Sequence, residues 1–277
     1  MSDLTPEIIV GMPAAIKARP RADFRPTEFD QAVTTKGYRM FWSRAGICPC
    51  TNNDQTEQPD PNCQLCKGDA YYYFMPDEAI AAGAAKDSAG NVVTINDAGT
   101  AVQIYVLMTS MTQDVQVFEK FGEWVFGLSR ATTQPQNKLG YRDRLTAIES
   151  EMTWAQIIEY DGSAIIPVTG ERKKSGLRYP FVSVHQLRSL STTFRLGSDY
   201  VLTTAGEIQW LVTPPASGTR LSLHGVIHPT WIVMDHMHTF RDTQLEGTST
   251  ALADQKFRKL PVQAVVKLDF LANPGDP

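Results

Sequence analysis

The stretch Cys48-Pro-Cys-Thr-Asn-Asn-Asp-Gln-Thr-Glu-Gln-Pro-Asp-Pro-Asn-Cys-Gln-Leu-Cys66, followed by Lys67 and Gly68, holds all 4 cysteines of the 277-residue chain. They fall as Cys48-Pro49-Cys50, a polar loop, and Cys63-Gln64-Leu65-Cys66. Two short turns each present a pair of sulfurs, and the loop between them lets one turn fold over the other, which is what a tetrahedral metal ion needs. Zinc is the first candidate ion, with Cys48, Cys50, Cys63 and Cys66 as its ligands. Gly68 suits the site, because a turn with positive φ after a metal-binding CxxC lets backbone N–H groups point at the sulfurs. The single residue between Cys48 and Cys50 is tighter than the usual gap of about two to four residues. It leaves the identity of the ion open.

Disulfides and ordinary buried thiols compete with this reading. Disulfides suit a secreted chain, yet the N-terminus MSDLTPEIIV has no basic start and no apolar run before a small-residue cleavage site. Core cysteines do not suit so hydrophilic a segment. Four protein ligands leave no coordination position for water, so such a centre holds structure and does not catalyse.

Beyond the cysteines, the composition is that of a soluble globular chain, with 42% hydrophobic and 20% charged residues. No apolar run is long enough to span a bilayer, so no membrane partner is expected. A formal net charge of -4 gives no general attraction to phosphate. Lys17 to Arg25 and Arg172, Lys173, Lys174 and Arg178 are local basic groups beside Pro or Gly, read as solvated loops.

The chain divides, on this reading, into four parts. Residues 1–27 hold Pro6, Pro13, Pro20 and Pro26, too closely spaced for a long helix, and form an extended arm whose Ile8, Ile9, Val10 and Met12 lie either on its own domain or on a neighbour. Residues 28–75 form a zinc-ribbon-like region in which the cysteine loop joins an aromatic strand at Tyr38, Met40 and Trp42 to another at Tyr71 to Met75. Residues 76–168 form a small β-barrel-like insert. Val102, Ile104, Val106 and Met108 alternate there, and Leu145 to Tyr160 reads as strand in preference to helix. Residues 169–277 form a β-sandwich-like domain of short strands, two of which are expected to meet at His224 and Gly225, closing with Val262, Ala264, Val266, Leu268 and Phe270 on one face. The fold class is therefore mainly β.

Other constellations carry less. His224, His228, His236 and His238 lie close in sequence, and Asp235 or Asp242 would complete a metal site of a hydrolase. No HExxH spacing accompanies them, nor does a GxSxG or glycine-rich phosphate loop occur. Trp124, Trp154, Trp210 and Trp231 sit where core aromatics are expected.

Trp42 and Arg44-Ala45 before the first cysteine pair, then PDPNCQLCKG (residues 59–68) and an aromatic strand, resemble structural proteins from the neck of tailed bacteriophages. YVLTTAGEIQWL (200–211), PPASGTRLSLHGVIHPTWIV (214–233), His238 to Asp242 and LPVQAVVKLDF (260–270) are similar to the same family. The resemblance implies a non-enzymatic virion protein, assembled in the host bacterial cytoplasm. It would form a ring or collar with copies of itself and contact connector and tail components. Packaged DNA would be met only through nonspecific channel contacts. A metal-dependent hydrolase using the histidines and a zinc-ribbon nucleic-acid adaptor using Lys173 and Lys174 are the alternatives.

Overall fold

The computed structural model describes residues 26–51, 59–60, 63–66, 68–76, 84–95, 101–110, 127–169, 174–236, 242–244, 257–259 and 262–272. The expected arm lies outside them except for its last two residues, and these begin helix α1 (Pro26–Lys36). Proline lacks an N–H and has a preset φ, so it suits a first helical turn. Glu28 near the start and Lys36 near the end complement the helix dipole. The helix takes the chain up to the aromatic strand expected at Tyr38, Met40 and Trp42, and its Val33 is buried.

The strands follow in order: β1 (Tyr38–Ile47), β2 (Tyr71–Phe74), β3 (Thr94–Ile95), β4 (Ala101–Ser110), β5 (Leu128–Thr133), β6 (Arg144–Ala147), β7 (Met152–Glu159), β8 (Ile165–Ile166), β9 (Phe181–Arg188), β10 (Thr193–Phe194), β11 (Tyr200–Leu202), β12 (Ile208–Trp210), β13 (Arg220–Ile227), β14 (Thr230–His236), β15 (Asp242–Gln244), β16 (Phe257–Lys259) and β17 (Val262–Leu268). A one-turn helix, α2 (Asp269–Ala272), ends the described chain. No described helix is long and apolar enough to cross a membrane.

Six of these strands close a barrel in the order β1-β6-β14-β17-β5-β4, with β4 pairing back onto β1. Every pairing around it is antiparallel. Closure leaves no free edge within the ring, and alternation sends every second side chain inward. Met40 stands opposite Ile104 and Ala147, and Trp42 opposite Val102 and Leu145. All six belong to one buried apolar cluster, which Ala131, Val233, Ala264 and Val266 extend from the other strands.

A second core collects strands β7 to β13. A four-stranded sheet, β10-β9-β13-β7, and a three-stranded one, β11-β12-β8, supply Ile158, Leu187, Leu221 and Leu223 from the first and Tyr200, Ile208 and Ile166 from the second. Segment 145–160 is strand, as expected, and supplies β6 to the barrel and β7 to the second core.

Strand pairing groups the chain differently from the boundary expected at residues 168 and 169. Strands β7 and β8 lie before that boundary and belong to the second core, whereas β14 and β17 lie after it and complete the barrel. Alternation fixes which face of a strand is buried and says nothing of its partner, so the same pattern served both cores. Phe270, expected on the face of the last strand, sits instead in α2, packed against the second core. The break expected between His224 and Gly225 also moves. Strand β13 runs through both residues, and the chain turns at His228 and Pro229.

The two cores meet around α2. Asp269, fully buried, accepts a hydrogen bond from the Tyr179 hydroxyl at 2.7 Å and has Arg144 at 3.7 Å and Arg178 at 4.0 Å. The Trp154 ring lies 5.2 Å from Tyr179 and 5.3 Å from Phe270 between ring centres. A buried carboxylate needs cations and donors of this kind, and here they come from both modules.

Candidate metal centre

Strand β1 is longer than the barrel is tall. Tyr38 to Trp42 pair with β4 and Met40 to Ser43 with β6, whereas Arg44 to Ile47 pair only with β2, in the register Arg44 to Phe74 and Ile47 to Tyr71. The projecting half of β1 and the aromatic run Tyr71 to Phe74 thus make the hairpin that the sequence suggests. It is an extension of a barrel strand and has no separate core.

At its tip the chain makes one turn per cysteine pair. The Cys48 N–H donates to the Ala70 carbonyl at 2.8 Å, which prolongs the pairing by one rung. Thr51 N–H then donates back to the Cys48 carbonyl at 3.0 Å. This closes a turn with Pro49 at the position where a preset φ helps most, and it explains how a single intervening residue suffices to present both sulfurs. In the second knuckle, Cys63 N–H donates to Asp60 at 3.0 Å and Asp69 N–H to Cys66 at 2.9 Å. Gly68 has a φ of 93° and Ala70 a φ of 65°. The left-handed turn expected at Gly68 is present, and Ala70 takes up a second one at the cost that a Cβ brings.

The four Sγ atoms all lie within 4.8 Å of one another. The nearest pairs cross between the knuckles, Cys48 to Cys63 at 3.6 Å and Cys50 to Cys66 at 3.4 Å. An ion about 2.3 Å from each of four tetrahedral sulfurs sets them about 3.8 Å apart, so the four side chains can hold a metal ion. The separations are far above the disulfide bond of about 2.05 Å, and all four thiols are free. Cys48 and Cys66 are buried.

The thiols differ electrostatically. Backbone N–H groups of Cys66 and Leu65 aimed at the Cys63 sulfur lower its pKa to about 6. Burial pushes Cys50 up to about 12 and raises Cys48 as well. A bound cation reverses the cost of burial, since it replaces the protons and stabilises all four thiolates.

The base of the hairpin is held by residues that the sequence reading did not single out. The buried Asp143 carboxylate accepts from Trp42 Nε1 at 2.8 Å, from Ala45 N–H at 3.0 Å and from Gly140 N–H at 2.6 Å. Burial raises its pKa while these three donors oppose the rise. Arg142 lies 5.5 Å from the ring centres of both Tyr71 and Tyr141, and Arg144 lies 3.9 Å from that of Tyr73. Guanidinium groups on aromatic faces brace β2. Their only sequence signal is the run Tyr141-Arg142-Asp143-Arg144, which does not reveal its partners.

Among the described residues, the histidines expected to cluster form no group of three able to share an ion. His224 lies in β13 and His236 at the end of β14, while His228 Nδ1 is 3.0 Å from the Ser150 carbonyl. His238 and Lys173 lie outside the described residues, as do Arg172 and Trp124. Among the described residues, the four cysteines are the one group of three or more Cys, His, Asp or Glu close enough to share an ion. No protein-family model matches this chain, and no curated protein matches it.

Proposed function

We propose that this chain is a non-enzymatic structural protein of a phage virion, joining head connector to tail as part of a neck ring or collar. The observation that carries the reading is where apolar side chains face solvent. Ile47 is 68% exposed and Leu65 54%, both at the cysteine-bearing tip, and Leu190 is 96% exposed at the turn between β9 and β10. Leu211 and Val212, just after β12, are exposed as well. Ile47 and Leu65, each one residue from a cysteine, put two large apolar groups on one projecting tip, which a ring subunit can press against a neighbour. The resemblance of the cysteine region and of residues 178–271 to phage neck proteins points the same way.

In this reading the ion is zinc, and its task is to keep the hairpin rigid so that Ile47 and Leu65 meet a neighbour at a fixed angle. The test is assembly without the chain. Infected cells lacking it should accumulate heads and tails that do not join, and electron microscopy of complete particles should place it at the head–tail junction. Normal joining in its absence would overturn the proposal. Elemental analysis should find one zinc per chain, lost on Cys63→Ser.

A further inference from the structure

The fifth histidine, His185, lies in β9, where the backbone is irregular. In the pairing of β9 with β13, Gln186 stands opposite His224 and Val184 opposite Gly225, so His185 is an extra residue, a β-bulge. Regular alternation counted back from buried Leu187 would turn His185 towards the core. The bulge instead leaves Val184 buried and turns His185 and Gln186 outward together. Gly225 is part of the device, since a Cβ there would lie 2.2 Å from the Ser183 carbonyl oxygen.

The outcome is a pair of exposed imidazoles from neighbouring strands, with ring centres 5.9 Å apart and planes inclined by 40°. An ion about 2.1 Å from one nitrogen of each ring would set the ring centres about 5 Å apart. Rotation of the two exposed side chains by about 1 Å at the rings would bring them to that spacing. On the other side of His224, its register partner on β7 is Ala155, whose methyl group leaves room above the sheet.

We propose that His185 and His224 form a two-imidazole chelate for a divalent first-row transition ion on the outer face of the four-stranded sheet, separate from the cysteine centre. Imidazole nitrogen suits nickel, copper and zinc. The site is open: the sheet supplies two ligands, and the remaining positions belong to water or to a side chain of another molecule. An ion there would let this face be cross-linked to a neighbour.

Nickel is the probe. The full-length chain, with its cysteine centre loaded with zinc, is titrated with Ni²⁺ in a calorimeter while a zinc-sensitive dye reports displaced zinc. One Ni²⁺ per chain should bind without zinc release. Because the second imidazole adds its contribution intramolecularly, His185→Ala and His224→Ala should each weaken binding by about a hundredfold. Both positions are exposed, so the melting temperature should stay put, and His228→Ala and His236→Ala should bind as the parent does. Absence of Ni²⁺ binding, zinc release matching nickel uptake, unchanged affinity in His185→Ala, or an equal loss in His236→Ala would each overturn the proposal.

Discussion

One strand, β1, is held in two ways. Its lower half is a stave of a closed barrel, hydrogen-bonded on both sides, with Met40 and Trp42 in the apolar interior. Its upper half has one neighbour and ends in exposed Ile47, and its order rests on four sulfurs, stacked arginines and the Asp143 clasp. Burial of apolar area grows with the number of side chains enclosed, so a four-residue rung cannot stabilise itself by that means. Where a chain must project beyond its core, four cysteines placed to hold a metal ion can stand in for the missing interior.

The largest effect should come from the lower half. Trp42→Ala opens a cavity in the barrel and removes a donor to Asp143, and should lower the unfolding free energy by about 4 kcal/mol in urea titrations. Asp143→Ala comes next, at about 3 kcal/mol, because it strands three donors, one of them the buried Trp42 Nε1. Stripping the ion with a chelator should change the barrel's unfolding free energy by less than about 1 kcal/mol. Amide exchange protection at Cys48, Cys63 and Asp69 should nonetheless disappear. If the barrel melts along with the tip, the contrast between the two halves of β1 is wrong.

Gly68→Ala forces a Cβ into a left-handed turn and should cost about 1 kcal/mol, visible as weaker metal binding with the barrel unaffected. Acidity sharpens the same point. The Cys48 and Cys50 thiols hold their protons more tightly than ordinary cysteine. Metal uptake must therefore release protons, and affinity should fall as pH is lowered. Calorimetry in buffers of different ionisation enthalpy measures the number released. The smallest effect belongs to Ile47→Ser, within about 0.5 kcal/mol for the isolated chain.

Much of this was legible from residues alone. The spacing of the cysteines and the aromatic run after them gave the hairpin and its tip, because short-range geometry decides which sulfurs converge. The alternation of Val102, Ile104 and Val106 located the inward face of β4 for the same reason. Partners at long range were not legible. Nothing in Val262 to Leu268 says that it pairs with β5 and β14, and nothing in Tyr141-Arg142-Asp143 says that it clasps Trp42 and Ala45. The bulge at His185 was hidden too, since an extra residue in a strand leaves the composition of the strand unchanged. The helix at Pro26 was not legible either, since prolines crowd the segment before it, although Pro26 itself occupies the one turn that accepts proline.

Strands β7 to β13 interrupt the barrel between β6 and β14, and this bears on biosynthesis. A ribosome delivers the first four staves, β1, β4, β5 and β6, and then must translate the whole second core before β14 and β17 emerge to close the ring. The inserted module has all of its strands in hand earlier and is free to fold on the nascent chain. The host barrel waits with unpaired edges until its last stave is released. Truncation just before Val262 should accordingly yield a folded passenger on an open, aggregation-prone host.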